Sequence, residues 1–366
     1  MMQNLQRIIN ALLHKPVDRI PVTGFLTSVT VELMGLCGYG WEEAHYDAEK
    51  LVELAAAAHN HCGLETLKLP FDMAVEAEAL GCKIDPGSRD TLPQVINHIY
   101  EEPDELVFDR QLLTCGRIPV VLKAIGKAKT RYDGEAAVVS SIVGPFTLGT
   151  RLFGMDNFLI WAIAEPAKAH AAMERLTRLC IMYAGEQAEA GCDVVLIGEA
   201  ASSGDLISPD TYRDVILPYH RELCRSLQAP SVVHICGDIT GHLPYFPETG
   251  MTAISFDGKT DVRKATRLLK GKTALVGYID TMTTLLHSTP EAVYQSAVDC
   301  IQSGVDLLCA GCAWPAHIPT DNILAMIKAA HENGKTTSVC KNGKTAFVYE
   351  NGKTASVYEN NKTILK

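Results

Sequence analysis

Residues 231–257 read SVVHICGDITGHLPYFPETGMTAISFD, and this stretch decides the fold. SVVHIC at 231–236 is a short apolar run of the buried parallel-strand type. A helix is expected near 239–249. TAISFD at 252–257 is the next strand. The unit is strand, helix, strand, and it repeats in both directions.

Toward the C-terminus come a helix at 261–270, a strand TALVGYI at 273–279 and a helix at 290–303. DLLCAG at 306–311 and a helix at 320–333 complete that side. Toward the N-terminus lies DVVLIGE at 193–199, followed by a helix at 209–227 with Ser208 as its N-cap and Pro209 at its first position. AAVVSSIVGP at 136–145 is a strand, with a long helix expected at roughly 164–190. RIPVTGFL at 19–26 and ETLKLPF at 65–71 add two strands, with helices near 41–62 and 72–81. Eight strands, each followed by a helix, predict an α/β fold of the (β/α)8 TIM-barrel class. A doubly wound open sheet would usually carry a glycine-rich first turn, and no GxGxxG follows any of these strands.

The barrel is expected to occupy 1–335 as one domain, with an irregular insertion near 84–133 that is partly helical at 116–128. The tail, 336–366, is different. NGKTTSVCK, NGKTAFVYE and NGKTASVYE run in succession from 333 to 359, and NNKT begins a fourth copy. Each copy pairs a turn-prone dipeptide with a β-prone stretch, which suits a hairpin array or a flexible appendage. Three short copies bury little, which favours a peripheral or mobile tail without catalytic role.

The formal net charge of −10 argues against nucleic acid as a partner. The N-terminus has no apolar signal core, and no run of 18 apolar residues exists, so a cytoplasmic protein without a membrane span is expected. Of the twelve cysteines, Cys62, Cys82, Cys180, Cys192, Cys224 and Cys300 sit alone in apolar or helical contexts. They read as buried, reduced thiols.

His234 and Cys236 stand apart. Residues two apart on a strand project to the same side, so both side chains can address one ion. Cys312 lies just beyond a strand three units later. Barrel strands all end on one rim, where barrel active sites are built. A His-x-Cys pair on an apolar strand is also ordinary core packing. Gly237 and Asp238 put this pair at a strand end, however, and Gly311 and Trp314-Pro315 put Cys312 in a loop. Cys309 is the rival ligand, but it lies inside its strand and is assigned to the core.

Three N/S donors with an open fourth position form the catalytic zinc pattern, and soft thiolates favour zinc over magnesium or calcium. Asp257, ending TAISFD, is either a fourth ligand or a rim aspartate holding a loop. A free thiol has a pKa near ~8.5, so little is thiolate at neutral pH, whereas coordination to zinc deprotonates it. Two protein thiolates cancel the ion's charge and keep a bound substrate sulfur nucleophilic. The ligand set therefore points to alkyl transfer onto sulfur. A hydrolytic zinc would sit among histidines and a carboxylate.

PVDRIPV at 16–22, TVELMGLCGYGWEEAHYDAEK at 30–50, IVGPFTL at 142–148, HICG at 234–237 and the GC of AGCAWP at 311–312 carry a family resemblance. The chain resembles the uroporphyrinogen decarboxylase superfamily and, more narrowly, its methylcobamide:coenzyme M methyltransferases. The resemblance spans about 5–333. It implies that His234, Cys236 and Cys312 bind zinc, and that a methyl group passes from the methylcobamide of a methylated corrinoid protein to the thiol of coenzyme M. The decarboxylase itself matches less well. Its arginine-rich segment corresponds here to VTGFLTSVTVELM, which has no arginine to pair with porphyrinogen carboxylates. The competing readings are a tetrahydrofolate or pterin acceptor, a decarboxylase-like protein, and a non-enzymatic corrinoid or metal scaffold.

Glu199 and Tyr278, at strand ends, are the candidates for cofactor binding. Glu199 and the nearby Asp205 are also well placed simply to cap loops. Tyr278 is followed by Asp280 at its strand end. The sulfonate of coenzyme M calls for backbone N–H groups or an arginine, and Arg151 after GPFTL is the nearest basic residue. Its ordinary alternative is a surface ion pair.

Overall fold

A computed structural model describes residues 2–333 in full. Eight parallel strands form one ring: β1 (Val22–Thr23), β2 (Thr66–Leu69), β3 (Ala137–Val143), β4 (Val194–Gly198), β5 (Ser231–Ile235), β6 (Ala253–Phe256), β7 (Ala274–Ile279) and β8 (Leu307–Ala310). Consecutive strands from β2 to β8 pair in order, and β1 pairs with β8. The amide of Glu65 donates to the Val22 carbonyl at 3.1 Å, and Gly24 N donates to Thr66 Oγ1 at 2.7 Å. These contacts close the ring between β1 and β2. The (β/α)8 expectation holds, with all eight strands where the apolar runs place them.

The barrel interior is packed with small and branched side chains, among them Val139, Val194, Leu196, Val232, Val276 and Cys309. Ile8, Ala11 and Leu12 of the N-terminal helix Asn4–Leu12 join this cluster. They meet Ala137, Val194, Ala253, Ala274 and Leu307, which begin their strands, so the helix stops the N-terminal end of the barrel. The C-terminal end is left open. Arg7 fixes that helix, donating to Asp18 at 2.6 and 3.0 Å and to the buried Glu65 at 2.9 Å.

The helices depart from expectation in several places: a helix at Val31–Cys37 was not expected, the one at 41–62 is split into Trp41–Ala44 and Ala48–Cys62, and the one at 72–81 is only Val75–Ala79. Pro145–Leu152 and Met155–Ala164 precede the long helix Pro166–Glu189. The helix expected at 209–227 is broken into Pro209–Thr211, a π-turn Tyr212–Ile216 and Leu217–Ser226, although Ser208 caps it as anticipated. Pro218 has no N–H to give back to the preceding turn, which widens there. The helix near 239–249 shrinks to a 3-10 turn at Leu243–Tyr245 and one α-turn at Phe246–Thr249, since Pro244 and Pro247 remove two donors.

The segment 84–133 holds a two-residue pairing of Ile84–Asp85 with Gln94–Val95, two 3-10 turns and the helix Ile118–Tyr132. Cys62, Cys82, Cys180, Cys192, Cys224 and Cys300 are all buried and free. Burial pushes the Cys82 and Cys192 thiols up to about 11. No helix among the described residues is long and apolar enough to cross a membrane. Beyond 333, the backbone of Thr336–Lys341, Lys344–Tyr349, Thr354–Glu359 and Lys362–Thr363 pairs as an antiparallel ladder. The side chains of this tail, and the expectation that it is peripheral or flexible, lie outside the described residues.

Candidate metal centre

β5 and the turn after β8 bring three donors to the open end of the barrel. The donor atoms of His234, Cys236 and Cys312 all lie within 4.8 Å of one another. His234 Nε2 is 3.2 Å from Cys236 Sγ, and Cys236 Sγ is 3.8 Å from Cys312 Sγ. Ligands on a tetrahedral zinc, at ~2.0–2.3 Å from the ion, stand roughly 3.3–3.8 Å apart, so the donor set fits that ion in type and in spacing. His234 is 3% exposed, and the two cysteines are partly buried.

Two glycines permit this approach. Gly237 adopts φ +77°, which turns the chain away directly after Cys236. Gly311 precedes Cys312, and a Cβ there would stand 3.1 Å from the Asp257 backbone. Ser255, on β6, lies 3.1 Å from His234 Nδ1. With Nδ1–H donating to that hydroxyl, the Nε2 lone pair faces the cysteines.

The two thiols stand close enough to shift each other's acidity in opposite directions. Contact with Cys236, and then with His234, holds the Cys312 thiol well below the ordinary range, while Cys312 and burial push Cys236 well above it. A divalent cation would displace the thiol protons.

All three donors line a cavity of about 180 Å³. Its other wall is polar, with Lys68, Asp72, Glu76 and Arg151. Asp72 receives two hydrogen bonds from Arg117, at 2.7 and 3.0 Å. Lys68 Nζ donates to the Pro70 carbonyl. Burial drives the Lys68 ammonium down to about 8 and the Glu76 carboxyl up to about 7. Val143 N donates to Glu76 at 2.7 Å.

The remaining candidates take other places. Asp257 is not among the clustered donors: its Oδ2 accepts from Gly237 N at 2.6 Å and its Oδ1 from Lys259 N at 2.9 Å. It braces the loop behind Cys236. Glu199 is fully buried and does not line the cavity. It accepts from Phe146 N at 3.0 Å and from Thr147 N and Oγ1 at 2.9 and 2.8 Å, and His220 Nε2 lies 3.1 Å away. Tyr278 does not line the cavity; its ring stacks on Phe256 with centroids 5.8 Å apart and its hydroxyl meets Ser303. Asp205 accepts from Lys259 at 3.1 Å, and Asp280 caps its own turn through Met282 N and Thr283. Cys309 is buried inside the barrel. Arg151 lines the cavity and has no ion pair or hydrogen bond among the described residues.

Sequence reasoning missed Ser255, Lys68, Asp72, Glu76 and the Tyr212–His220–Glu199 chain. A lysine in the middle of the apolar run ETLKLPF was the available signal for the polar wall.

The uroporphyrinogen decarboxylase family model matches residues 3–333. The methylated-thiol–coenzyme M methyltransferase of Methanosarcina mazei is 34% identical over 327 residues, 89% of each chain. The methylcobamide:CoM methyltransferase MtaA of Methanosarcina barkeri is 32% identical, covering 89% of this chain and 97% of that one. Among solved structures, a methyltransferase from Methanosarcina mazei superposes with a TM-score of 0.88 at 31% identity, over 91% of this chain and 99% of that one.

Proposed function

Because the chain belongs to the uroporphyrinogen decarboxylase family, alongside its methylcobamide:coenzyme M methyltransferases, we propose that it transfers a methyl group from a methyl-Co(III) corrinoid protein to the thiol of coenzyme M. The observation that carries the zinc-dependent form of this reading is the convergence of His234, Cys236 and Cys312 on one cavity at the open barrel end.

These three residues would hold one zinc ion and leave a position for the acceptor. Bound there, zinc would strip the acceptor thiol of its proton and hold the resulting thiolate. Cys236 and Cys312 would cancel the dication's charge and so leave electron density on the acceptor sulfur. Ser255 fixes the imidazole of His234, and the apolar wall, with Leu26, Phe71 and Met73, keeps water from the sulfur. The reaction breaks the methyl–cobalt bond with its electron pair staying on cobalt, which becomes Co(I). The sulfur–methyl bond forms from the thiolate lone pair. The thiol proton has already left to solvent, so no general acid is needed.

The test follows loss of the methyl–cobalt absorbance of methylcobalamin with coenzyme M. Wild type should be active, and chelator-treated protein and Cys312→Ala nearly inactive. Equal rates in all three would sink the zinc reading. Methylation of tetrahydrofolate in place of coenzyme M would move the assignment to a pterin acceptor. A saturated four-ligand metal site without turnover would make the protein a scaffold.

A further inference from the structure

The sulfurs of Cys236 and Cys312 stand 3.8 Å apart at the open barrel end, although 76 positions separate the two residues in the chain. Both residues are partly buried and both line the cavity, so a small solute entering it meets the two sulfurs together. The sequence offers a rival pairing, because Cys309 and Cys312 have the C-x-x-C spacing of dithiol redox sites. The fold speaks against it. Cys309 is 1% exposed, packs in the barrel's inner cluster and does not line the cavity. Burial also pushes its thiol up to about 11, away from the thiolate that exchange needs. A disulfide holds its sulfurs at about 2.05 Å, so each of the two facing sulfurs has roughly 0.9 Å to travel. Rotation about the two Cα–Cβ bonds supplies that, and neither Gly237 nor Gly311, their chain neighbours, carries a side chain to obstruct it.

We propose that Cys236 and Cys312 form a thiol–disulfide exchange site, in which a small organic disulfide converts the pair into one internal disulfide when zinc is not bound. One cysteine sulfur attacks a sulfur of the solute R–S–S–R, whose S–S bond breaks, and the first RSH leaves with that cysteine's proton. The second cysteine attacks the protein sulfur of the mixed disulfide, and the second RSH leaves with the second proton. Two electrons pass from the cysteines to the solute, and one S–S bond replaces another. The sulfur lone pairs used in the exchange are those that would bind zinc, so ion and bridge exclude each other. An oxidised thiol pool is thereby registered at this centre as loss of metal. The site shares its ligands with the zinc reading above, but neither methyl donor nor methyl acceptor enters its test.

The experiment exposes zinc-loaded and chelator-treated protein to bis(2-hydroxyethyl) disulfide without oxygen and maps the tryptic peptides without reduction. Chelator-treated wild type should yield peptide 226–259, whose only cysteine is Cys236, joined to peptide 273–328, which holds Cys312. Zinc-loaded protein should keep the two peptides apart. Cys309→Ala, which leaves the core apolar, should bridge like wild type. Cys312→Ser should leave a mixed disulfide of the solute on Cys236. Dithiothreitol should free both thiols and restore zinc uptake, followed with a chromogenic chelator. Separate peptides in chelator-treated wild type overturn the proposal, as does bridging at the same rate with zinc bound. A bridge lost in Cys309→Ala, or retained in Cys312→Ser, places the exchange on another pair and overturns it too. None of these readouts requires turnover, so they decide the matter even if no methyl group is transferred.

Discussion

Ser255 Oγ lies 3.1 Å from His234 Nδ1, so a hydroxyl on β6 sets the direction in which a histidine on β5 presents its other nitrogen. Both residues are buried, at 0% and 3% exposure, and water has little access to replace the hydroxyl. Ser255→Ala removes the partner without touching a proposed ligand. We expect zinc affinity to fall roughly 10-fold or more, the usual cost of losing such an outer contact. Competition with a chromogenic chelator measures it, and an affinity equal to wild type would show that the ring is held by packing alone.

Gly237 follows Cys236 at φ +77°, and a Cβ there would stand 2.3 Å from Ser203 Oγ and 2.5 Å from Asp205 Oδ2. Its N–H also donates to Asp257. Gly237→Ala therefore strains the turn and pushes the 203–205 loop outward. The expected result is a folded protein with less than half the wild-type zinc, measured by metal analysis after gel filtration, because Cys236 is moved off the Cys312 sulfur. Full zinc content with normal activity would refute the role given to this turn.

These two residues mark what the sequence could and could not disclose. The strands were legible because burial on both faces demands continuous apolar runs, and the His-x-Cys pair was legible because two donors share one strand. Cys312 needed the barrel geometry as well. Ser255 was invisible, since a serine in a buried strand gives no local sign of its neighbour on the next strand. The helix at Pro145–Leu152 was missed for the same reason. Its first amides are satisfied by Glu199, which lies more than fifty residues away in the chain. Arg151 then looked like a surface residue because the helix that carries it into the cavity was not in view.

The N-terminal stop of the barrel makes a pH prediction. The hydrogen bond from Arg7 lowers the Asp18 carboxyl from the ordinary 3.8 to about 2. A carboxylate whose folded pKa is depressed contributes stability above its unfolded value and loses it as pH falls through the folded one. The contribution of Asp18 should be complete above about pH 4 and decline toward pH 2. Urea midpoints of wild type and Asp18→Asn should differ at pH 6 and converge only as pH falls to about 2. A difference that grows on acidification would contradict the sign.

Glu199 ties the interior to the cavity. One oxygen takes the amide of Phe146, the other takes the amide and hydroxyl of Thr147, and His220, backed by Tyr212 at 2.9 Å, stands against the first. The carboxylate thus serves as the N-terminal cap of the helix whose last turn bears Arg151. Glu199→Ala leaves several buried donors without an acceptor, each at a cost of about 1–3 kcal/mol, and should be the more harmful change. Glu199→Gln keeps the shape but turns an amide N–H₂ toward amides that themselves donate, and should cost about 1–3 kcal/mol. Urea unfolding of the metal-free protein measures both without any contribution from zinc. The order matters more than the size. If Gln were as harmful as Ala, packing volume would not distinguish them and the loss would lie wholly in the acceptors. If both were neutral, the 145–152 helix would be held by its apolar side chains alone, and Arg151 would not depend on Glu199 for its place.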